Sequence, residues 1–392
     1  MSTPLITQTL LNWHAKHGRH DLPWQNRSDA YGIWLSEIML QQTQVSTVLP
    51  YYEKFVSVYP TVFALAKAPI DEVLHLWTGM GYYARARNLH KAAKMVVAEH
   101  GGEFPNTLDA MMALPGVGKS TAGAILAFAY KQHHAILDGN VKRVLARYYA
   151  IEGWYGQRKV ADALWAKAEA NTPTRHIDTY TQAIMDFGAT HCTRKNPACD
   201  SCPLATNCIA YQTNRTNELP HGKPKKAKPI KHTTMVFVLN QNKELLLIRN
   251  PPTGIWGGLW CPPTLTGTHA LPPTHPKGTD AVRNKKALKG TDAIRFNLNK
   301  GQPVEIAGFS TEISKVLPNF RHTFSHYHLD ITPVVAQLQD SVGASLGVNV
   351  GAVAEATDQV WYNVANPQAL GLAAPIKTLI QQIYSNEPES ST

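Results

Sequence analysis

No apolar run in the 392-residue chain approaches the roughly 20 residues that a membrane-spanning helix needs. Residues 1–18 carry no basic cluster followed by an apolar core, so nothing there reads as a secretory signal. The expectation is a soluble, cytoplasmic protein with no membrane partner. Cysteine is scarce as well: there are five, and four fall between Cys192 and Cys208. That crowding argues against a dispersed disulfide framework and for metal ligation in a reducing compartment. The fifth, Cys261, is expected as a small buried apolar residue in a strand. Acid is the charge in short supply, with 28 Asp and Glu against 38 Lys and Arg and a net charge of +10. Such an excess favours a polyanionic partner, nucleic acid ahead of an acidic membrane, because each cation set against a phosphate releases condensed counterions.

The length suggests about two or three compact units. From residue 4 to about 190 apolar residues recur at helical spacing, as in Ile33, Trp34 and Ile38 or Val141, Val144 and Leu145, with Pro and Gly punctuating the runs. About ten short helices are expected, in an all-α domain over residues 1–220. Residues 221–231 hold five Lys, two Pro and no acid, which can neither bury apolar area nor hold regular structure. A basic linker is expected over 221–232, as a solvated tether or in contact with phosphates. Strand patterns follow at 233–239 and 244–249, joined by a hairpin turn, so an α+β domain is expected over 233–385. Residues 265–303 contain a near repeat, at Lys277 and again at Lys289, and read as an inserted loop or short helices.

The strongest chemical signal is Cys192-x6-Cys199-x2-Cys202-x5-Cys208. Four thiolates on one centre suit tetrahedral zinc or a 4Fe-4S cluster, and charge and softness do not separate the two. The spacing, with a single CxxC pair, resembles the cluster loop of the endonuclease III superfamily of helix-hairpin-helix glycosylases. The second signal is Leu114-Pro-Gly-Val-Gly118 between two helical stretches. Gly116, Val117 and Gly118 are expected to bring backbone amides, and the positive end of the next helix, against a DNA phosphate. A P-loop would need a glycine where Ala113 stands and a preceding strand, so nucleotide triphosphate hydrolysis is not expected. Two acids stand out against the basic background. Asp138, at the start of an amphipathic helix, would by itself be an ordinary N-cap. Glu37, in the mostly apolar run Trp34-Leu-Ser-Glu-Ile-Met-Leu-Gln-Gln42, would by itself face solvent.

Taken together with Leu22-Pro-Trp24, Leu76-Trp-Thr-Gly-Met-Gly-Tyr-Tyr-Ala84 and Leu137-Asp-Gly-Asn-Val-Lys-Arg143, these motifs resemble the MutY family of adenine DNA glycosylases over nearly the whole chain. The resemblance implies one 4Fe-4S cluster on Cys192, Cys199, Cys202 and Cys208. It also implies a monomer acting on double-stranded DNA that contains adenine opposite 8-oxoguanine. Glu37 would be the general acid and Asp138, with Asn140 beside it, would stabilise the oxocarbenium ion, a division of labour that two carboxyls in unlike environments can sustain. Trp24 and Gln182 would line the pocket for the flipped base. Gln42, Tyr82 and Leu40 would form the wedge that fills the gap it leaves, with helix-end packing the alternative for Leu40. Ser120 stands where lyase-competent relatives carry a nucleophilic Lys, which implies base removal by water without strand cleavage. Lys142 is implied as a phosphate contact.

The second half resembles the Nudix-like domain of the same family, around residues 254–260 and Phe320-Arg-His-Thr-Phe-Ser-His326. It lacks the acid-rich box that would hold magnesium, so no pyrophosphatase is expected. Phe324, Ser325 and His326 match the loop that reads oxidised guanine. A zinc site on His322, His326 and His328 would want a fourth ligand that the sequence does not supply nearby. Two alternatives stay in view: a bifunctional glycosylase-lyase, and a non-catalytic DNA-binding module.

Overall fold

The computed structural model describes residues 4–25, 27, 29–224, 227–265, 300–339 and 358–385. Almost all of the insert expected over 265–303 lies outside the described residues. The chain divides into two compact units, Met1–Lys225 and Lys226–Thr392. Among the described residues no helix is long and apolar enough to cross a membrane.

The first unit is all-α. Its helices are α1 (Leu5–His17), α2 (Ala30–Leu40), α3 (Val45–Val58), α4 (Val62–Lys67), α5 (Ile70–Leu76), α6 (Ala84–His100), α7 (Leu108–Ala113), α8 (Lys119–Tyr130), α9 (Gly139–Tyr148), α10 (Arg158–Asn171), α11 (Ile177–Asp186) and α12 (Ile209–Gln212). Twelve are therefore described, where about ten were expected. The excess comes from the short turns of helix that Pro and Gly separate, such as α4, α5 and α7.

Two helices show why the sequence folds this way. In α9, Val141, Val144, Leu145 and Tyr148 recur at helical spacing on one buried face. That face packs with Leu10, Leu164 and Ile184 from other helices. Each such side chain contributes roughly 1.5–3 kcal/mol on burial, and Leu145→Ala would cost about 2–5 kcal/mol. In α2, by contrast, every residue from Tyr31 to Leu40 is buried except Glu37 and Leu40. A helix apolar nearly all round belongs in a core, so its one carboxyl must look into something. Helix α2 packs on α8, and α11 packs on α1, α8 and α9. This brings the middle of α2, the start of α8, the start of α9 and the face of α11 around one opening.

The second unit is α+β. Strands β1 (Ile230–Leu239), β2 (Leu245–Arg249), β3 (Trp260–Cys261), β4 (Thr264–Leu265), β5 (Pro303–Ile306), β6 (Phe309–Val316), β7 (Phe320–Thr323), β8 (His328–Leu338) and β9 (Gln359–Tyr362) form a mixed sheet, with the central order β3-β2-β1-β8-β6-β5. β1 runs parallel to β8 from Ile230↔His328 to Leu239↔Gln337. The run Met235 to Leu239 is buried without alternation, as expected of a strand covered on both faces. The strand expected from residue 233 thus begins at Ile230, inside the basic stretch, because ladder bonds to β8 outweigh the poor strand propensity of Lys231. Helix α13 (Ala374–Ser385) buries Ile376, Leu379, Ile380 and Ile383 at helical spacing. Cys261 is buried in β3, where desolvation pushes its thiol up to about 12.

Candidate active site

The opening in the first unit is a cleft of about 1440 Å³ whose walls include Glu37, Asp138, Asn140, Trp24, Gln182 and Ser120. Leu40 and Gln42 line its edge. Glu37 therefore does not face open solvent as an exposed helical Glu would; it is half-buried on the wall that α2 contributes. Burial, with the nearby charge of Asp138 as the smaller cause, pushes its carboxyl up to about 8. No stabilising donor offsets either effect.

Asp138 is both the helix cap and a wall of the cleft. Its Oδ1 accepts the Val141 amide at 2.8 Å, and its Oδ2 accepts from Asn140 Nδ2 at 3.3 Å. Burial raises the Asp138 carboxyl above its ordinary value, but the Val141 and Asn140 donors and the charges of Arg143 and Lys142 act to lower it. The two carboxyls share one cleft, and the helix end that Asp138 caps gives the ionised form partners that Glu37 lacks.

Other side chains are fixed by contacts that sequence spacing does not reveal. Asp186, fully buried, receives Arg19 Nε at 2.9 Å, Arg19 Nη2 at 2.5 Å and the Arg19 amide at 2.8 Å, while Gln182 donates to it at 2.8 Å. Burial pushes the Asp186 carboxyl up, yet His14 and Arg19 together hold it below the usual carboxylate range. This network orients Gln182 at the cleft wall. Trp24 packs edge-on against Tyr52 with ring centroids 5.2 Å apart. The Ser120 hydroxyl accepts the Leu137 amide at 2.9 Å. It thus tethers the residue before Asp138 to the start of α8. Lys119 turns away: its ammonium lies 4.2 Å from the Trp165 ring centroid and 3.0 Å from Glu169 Oε1.

The hairpin between α7 and α8 departs in detail from the expected amide cradle. Gly116 has φ +83°, a conformation that favours glycine. Gly118 has an ordinary φ of −96°, and a Cβ there would meet open space, so its backbone does not demand glycine. The Val117 side chain is buried and its amide closes the turn onto the Leu114 carbonyl at 3.1 Å. The donors left for a partner are the first amides of α8, which a helix leaves without intrahelical acceptors. Lys142 lies 5.2 Å from the Tyr155 ring centroid. Tyr82 stands outside the cleft lining and is 54% exposed, on a turn beside it.

The four clustered cysteines line one small cavity together with Arg147. Arg147 Nη1 donates to Cys192 Sγ at 3.3 Å. Among the described residues no three Cys, His, Asp or Glu converge as closely as a single bound ion requires. One side chain joins this loop to the cleft: Arg143 donates to the Cys192 carbonyl at 2.7 Å and to Asn140 Oδ1 at 2.8 Å. Gly188 lets the chain pass, since a Cβ there would sit 2.6 Å from Asn140 Cβ. It lies in a π-helical turn, Phe187–His191, that ends at the first cysteine.

In the second unit Phe324, Ser325 and His326 occupy the turn between β7 and β8, closed by the Phe324 amide on the Tyr327 carbonyl at 2.9 Å. Phe324 stacks on Tyr327 at 4.8 Å and meets Trp256 at 5.6 Å, while Ser325 and His326 are exposed. His322 packs edge-on against Phe324, and His328 hydrogen-bonds Thr323, so these rings are held by neighbours other than a metal.

Residues 35–170 match the family described as HhH-GPD superfamily base excision DNA repair protein, and residues 234–382 match the NUDIX domain. A protein of Buchnera aphidicola subsp. Baizongia pistaciae named adenine DNA glycosylase is 36% identical over 383 residues, 98% of each chain. The chain belongs to the adenine DNA glycosylase family. The Homo sapiens family member of that name is 35% identical over 311 residues, covering 66% of this chain and 57% of that protein. A solved structure entitled thermostable thymine-DNA glycosylase aligns over 53% of this chain and 96% of its own, with 31% identity and a TM-score of 0.49. Within this family member, Arg19, Asp186, Arg143 and Arg85 are site-shaping residues that the sequence reading passed over. Arg143 ends a quoted motif and Arg19 stands three residues before another, but their partners lie far along the chain.

Proposed function

We propose that this DNA glycosylase hydrolyses the N-glycosidic bond of adenine mispaired with 8-oxoguanine, and with guanine, leaving an abasic site. The observation that carries the reading is the pair of unlike carboxyls in one cleft, Glu37 raised to about 8 and Asp138 held by donors. Glu37, protonated at neutral pH, gives its proton to a ring nitrogen of the extruded adenine as the bond to the sugar breaks and its electron pair leaves with the base. The ionised Asp138 faces the resulting oxocarbenium ion. Water adds to the sugar carbon and returns a proton to Glu37. Gln182 and Trp24 hold the base in place, and Phe324, Ser325 and His326 read the oxidised guanine from the second unit.

Base removal without strand cleavage fits the lysines present. Lys119 is packed on Trp165, and Lys131, which lines the cleft, is held by Asp178 at 2.6 Å. Cys192, Cys199, Cys202 and Cys208 would hold the 4Fe-4S cluster. A lone zinc ion at 2.3 Å from each sulfur would draw the thiolates to about 3.8 Å of one another, whereas an iron at each corner holds them further apart. The bound cluster would supply four metal-thiolate bonds that fold the loop. Residues 221–229 act as the basic linker, Ile230 to His232 being paired in β1, and the enzyme works as a monomer on double-stranded DNA.

The test is a single-turnover gel assay on duplexes carrying adenine opposite 8-oxoguanine. Breakage only after hot alkali supports the reading, and breakage without alkali, or an intact duplex, refutes it. Freshly prepared protein with an absorption band near about 400 nm and about four irons supports the cluster; one zinc refutes it.

A further inference from the structure

One buried cation outside the cleft is shared by the end of α2 and the turn before α6. Arg85, at the start of α6, is 8% exposed. Its Nη1 donates to the carbonyls of Ile38 at 3.2 Å, Met39 at 2.6 Å and Gln41 at 2.7 Å. These are the final carbonyls of α2, which a helix leaves unpaired. Nη2 reaches the Gly81 carbonyl at 3.4 Å. The guanidinium also lies between two rings, 5.3 Å from Trp77 and 5.5 Å from Tyr82.

The segments that meet on Arg85 each turn left-handed just beyond the contact. Gln42 follows Gln41 with φ +57°, and Tyr82 follows Gly81 with φ +48°. Non-glycine residues adopt this conformation only where surrounding structure enforces it. Both side chains are exposed. The hairpin joins them indirectly, through Gln41, whose Nε2 donates to the Gly116 carbonyl at 3.1 Å. A guanidinium, with its planar fork of five donors, can hold several carbonyls and stack on rings at once; an ammonium cannot do both in the same geometry.

We propose that Arg85 is the positioning residue of the base-extruding wedge, bracketing the α2 end and the Gly81–Tyr82 turn so that Gln42 and Tyr82 stand at a fixed separation, tied through Gln41 to the phosphate-gripping hairpin, before DNA arrives. The inference rests on the proposed function for what the wedge displaces. Arg85 touches no reacting atom. Its effect is confined to opening the stack, where a preformed wedge replaces contacts that an extruded base loses.

The experiment compares the unaltered protein with Arg85→Met, which keeps an apolar stem and loses the donors, and Arg85→Lys, which keeps the charge. Two substrates carry adenine opposite 8-oxoguanine in a closed duplex or opposite an abasic gap, where the base is already loosely stacked. A third carries fluorescent 2-aminopurine in place of the adenine. For Arg85→Met the expected result is at least about tenfold slower base removal from the closed duplex and less than about threefold from the gapped one. The fluorescence rise on binding should shrink, and the pH profile should stay in place. Arg85→Lys should fall between the two proteins, and it decides the matter in the same way if the Met variant melts below the assay temperature. Equal slowing on both substrates, or an undiminished fluorescence rise, overturns the proposal. If the unaltered protein released no adenine from either duplex, the functional reading would fall, and the fluorescence comparison would still decide the wedge.

Discussion

The two walls of the cleft solve opposite electrostatic problems. The α2 wall is apolar from Tyr31 to Leu40 apart from Glu37 and half-buried Leu40, and it supplies the carboxyl with desolvation but no donor. The α9 wall is a helix end, and it gives Asp138 the Val141 amide, Asn140 and the charges of Arg143 and Lys142. One wall favours a proton on the acid at neutral pH, and the other supplies donors and positive charges that act against the rise that burial brings. Two residues of nearly equal intrinsic acidity are thereby separated by where their helices place them, which is the condition for acid and electrostatic work at one bond.

The contrast breaks most completely at Glu37. Glu37→Gln keeps size and burial but has no proton to give, so single-turnover release of adenine should fall on the order of 10²–10⁴-fold. Asp138→Asn keeps a capping side chain and removes the charge facing the sugar, and should lose on the order of 10²–10³-fold in the same assay. If the Asn variant lost more than the Gln variant, the division of roles would be reversed.

A pH profile sharpens the comparison. Release should decline as pH rises through about 8, where Glu37 loses its proton. It should also decline on the acid side, where Asp138 takes one up at a pH above its ordinary value of 3.8. The same linkage acts on stability. In the unfolded chain Glu37 ionises near 4.5, whereas in the fold it keeps its proton to about 8, so its burial costs stability increasingly over that window and fully above it. Glu37→Gln should therefore melt higher than the unaltered protein at pH 8, by on the order of 2–4 °C for each ~1 kcal/mol relieved, and no higher at pH 4. The smallest effect is expected from Ser120→Ala, which deletes the acceptor of the Leu137 amide. A loss of ~1 kcal/mol at that tether should slow release by up to about tenfold without moving either limb of the profile.

What could be read from sequence follows the range of the interactions involved. Glu37 was visible as the one acid in an apolar helix, and Asp138 as the residue before an amphipathic one, because both signals are local. The cap reading of Asp138 was also true: its side chain accepts the Val141 amide, and that bond acts against the rise that burial brings. The helical and strand-rich halves were legible from periodicity, but the start of β1 was set by its pairing with β8, nearly a hundred residues on, and no local pattern shows that. Arg19, Arg143 and Arg85 were missed for the same reason. Each looks like a surface cation in a basic chain until its acceptors come from elsewhere. Glycine misled in the other direction: Gly116 requires its freedom, while the backbone at Gly118 does not.

The central claim is that Glu37 carries a proton at neutral pH beside an ionised Asp138. Difference infrared spectroscopy between the unaltered protein and Glu37→Gln measures this without DNA or turnover. A protonated-carboxyl band present at pH 6.5, fading as pH rises through about 8 and missing from the variant, is the predicted result. A Glu37 signal already that of a carboxylate at pH 6.5 would contradict the account.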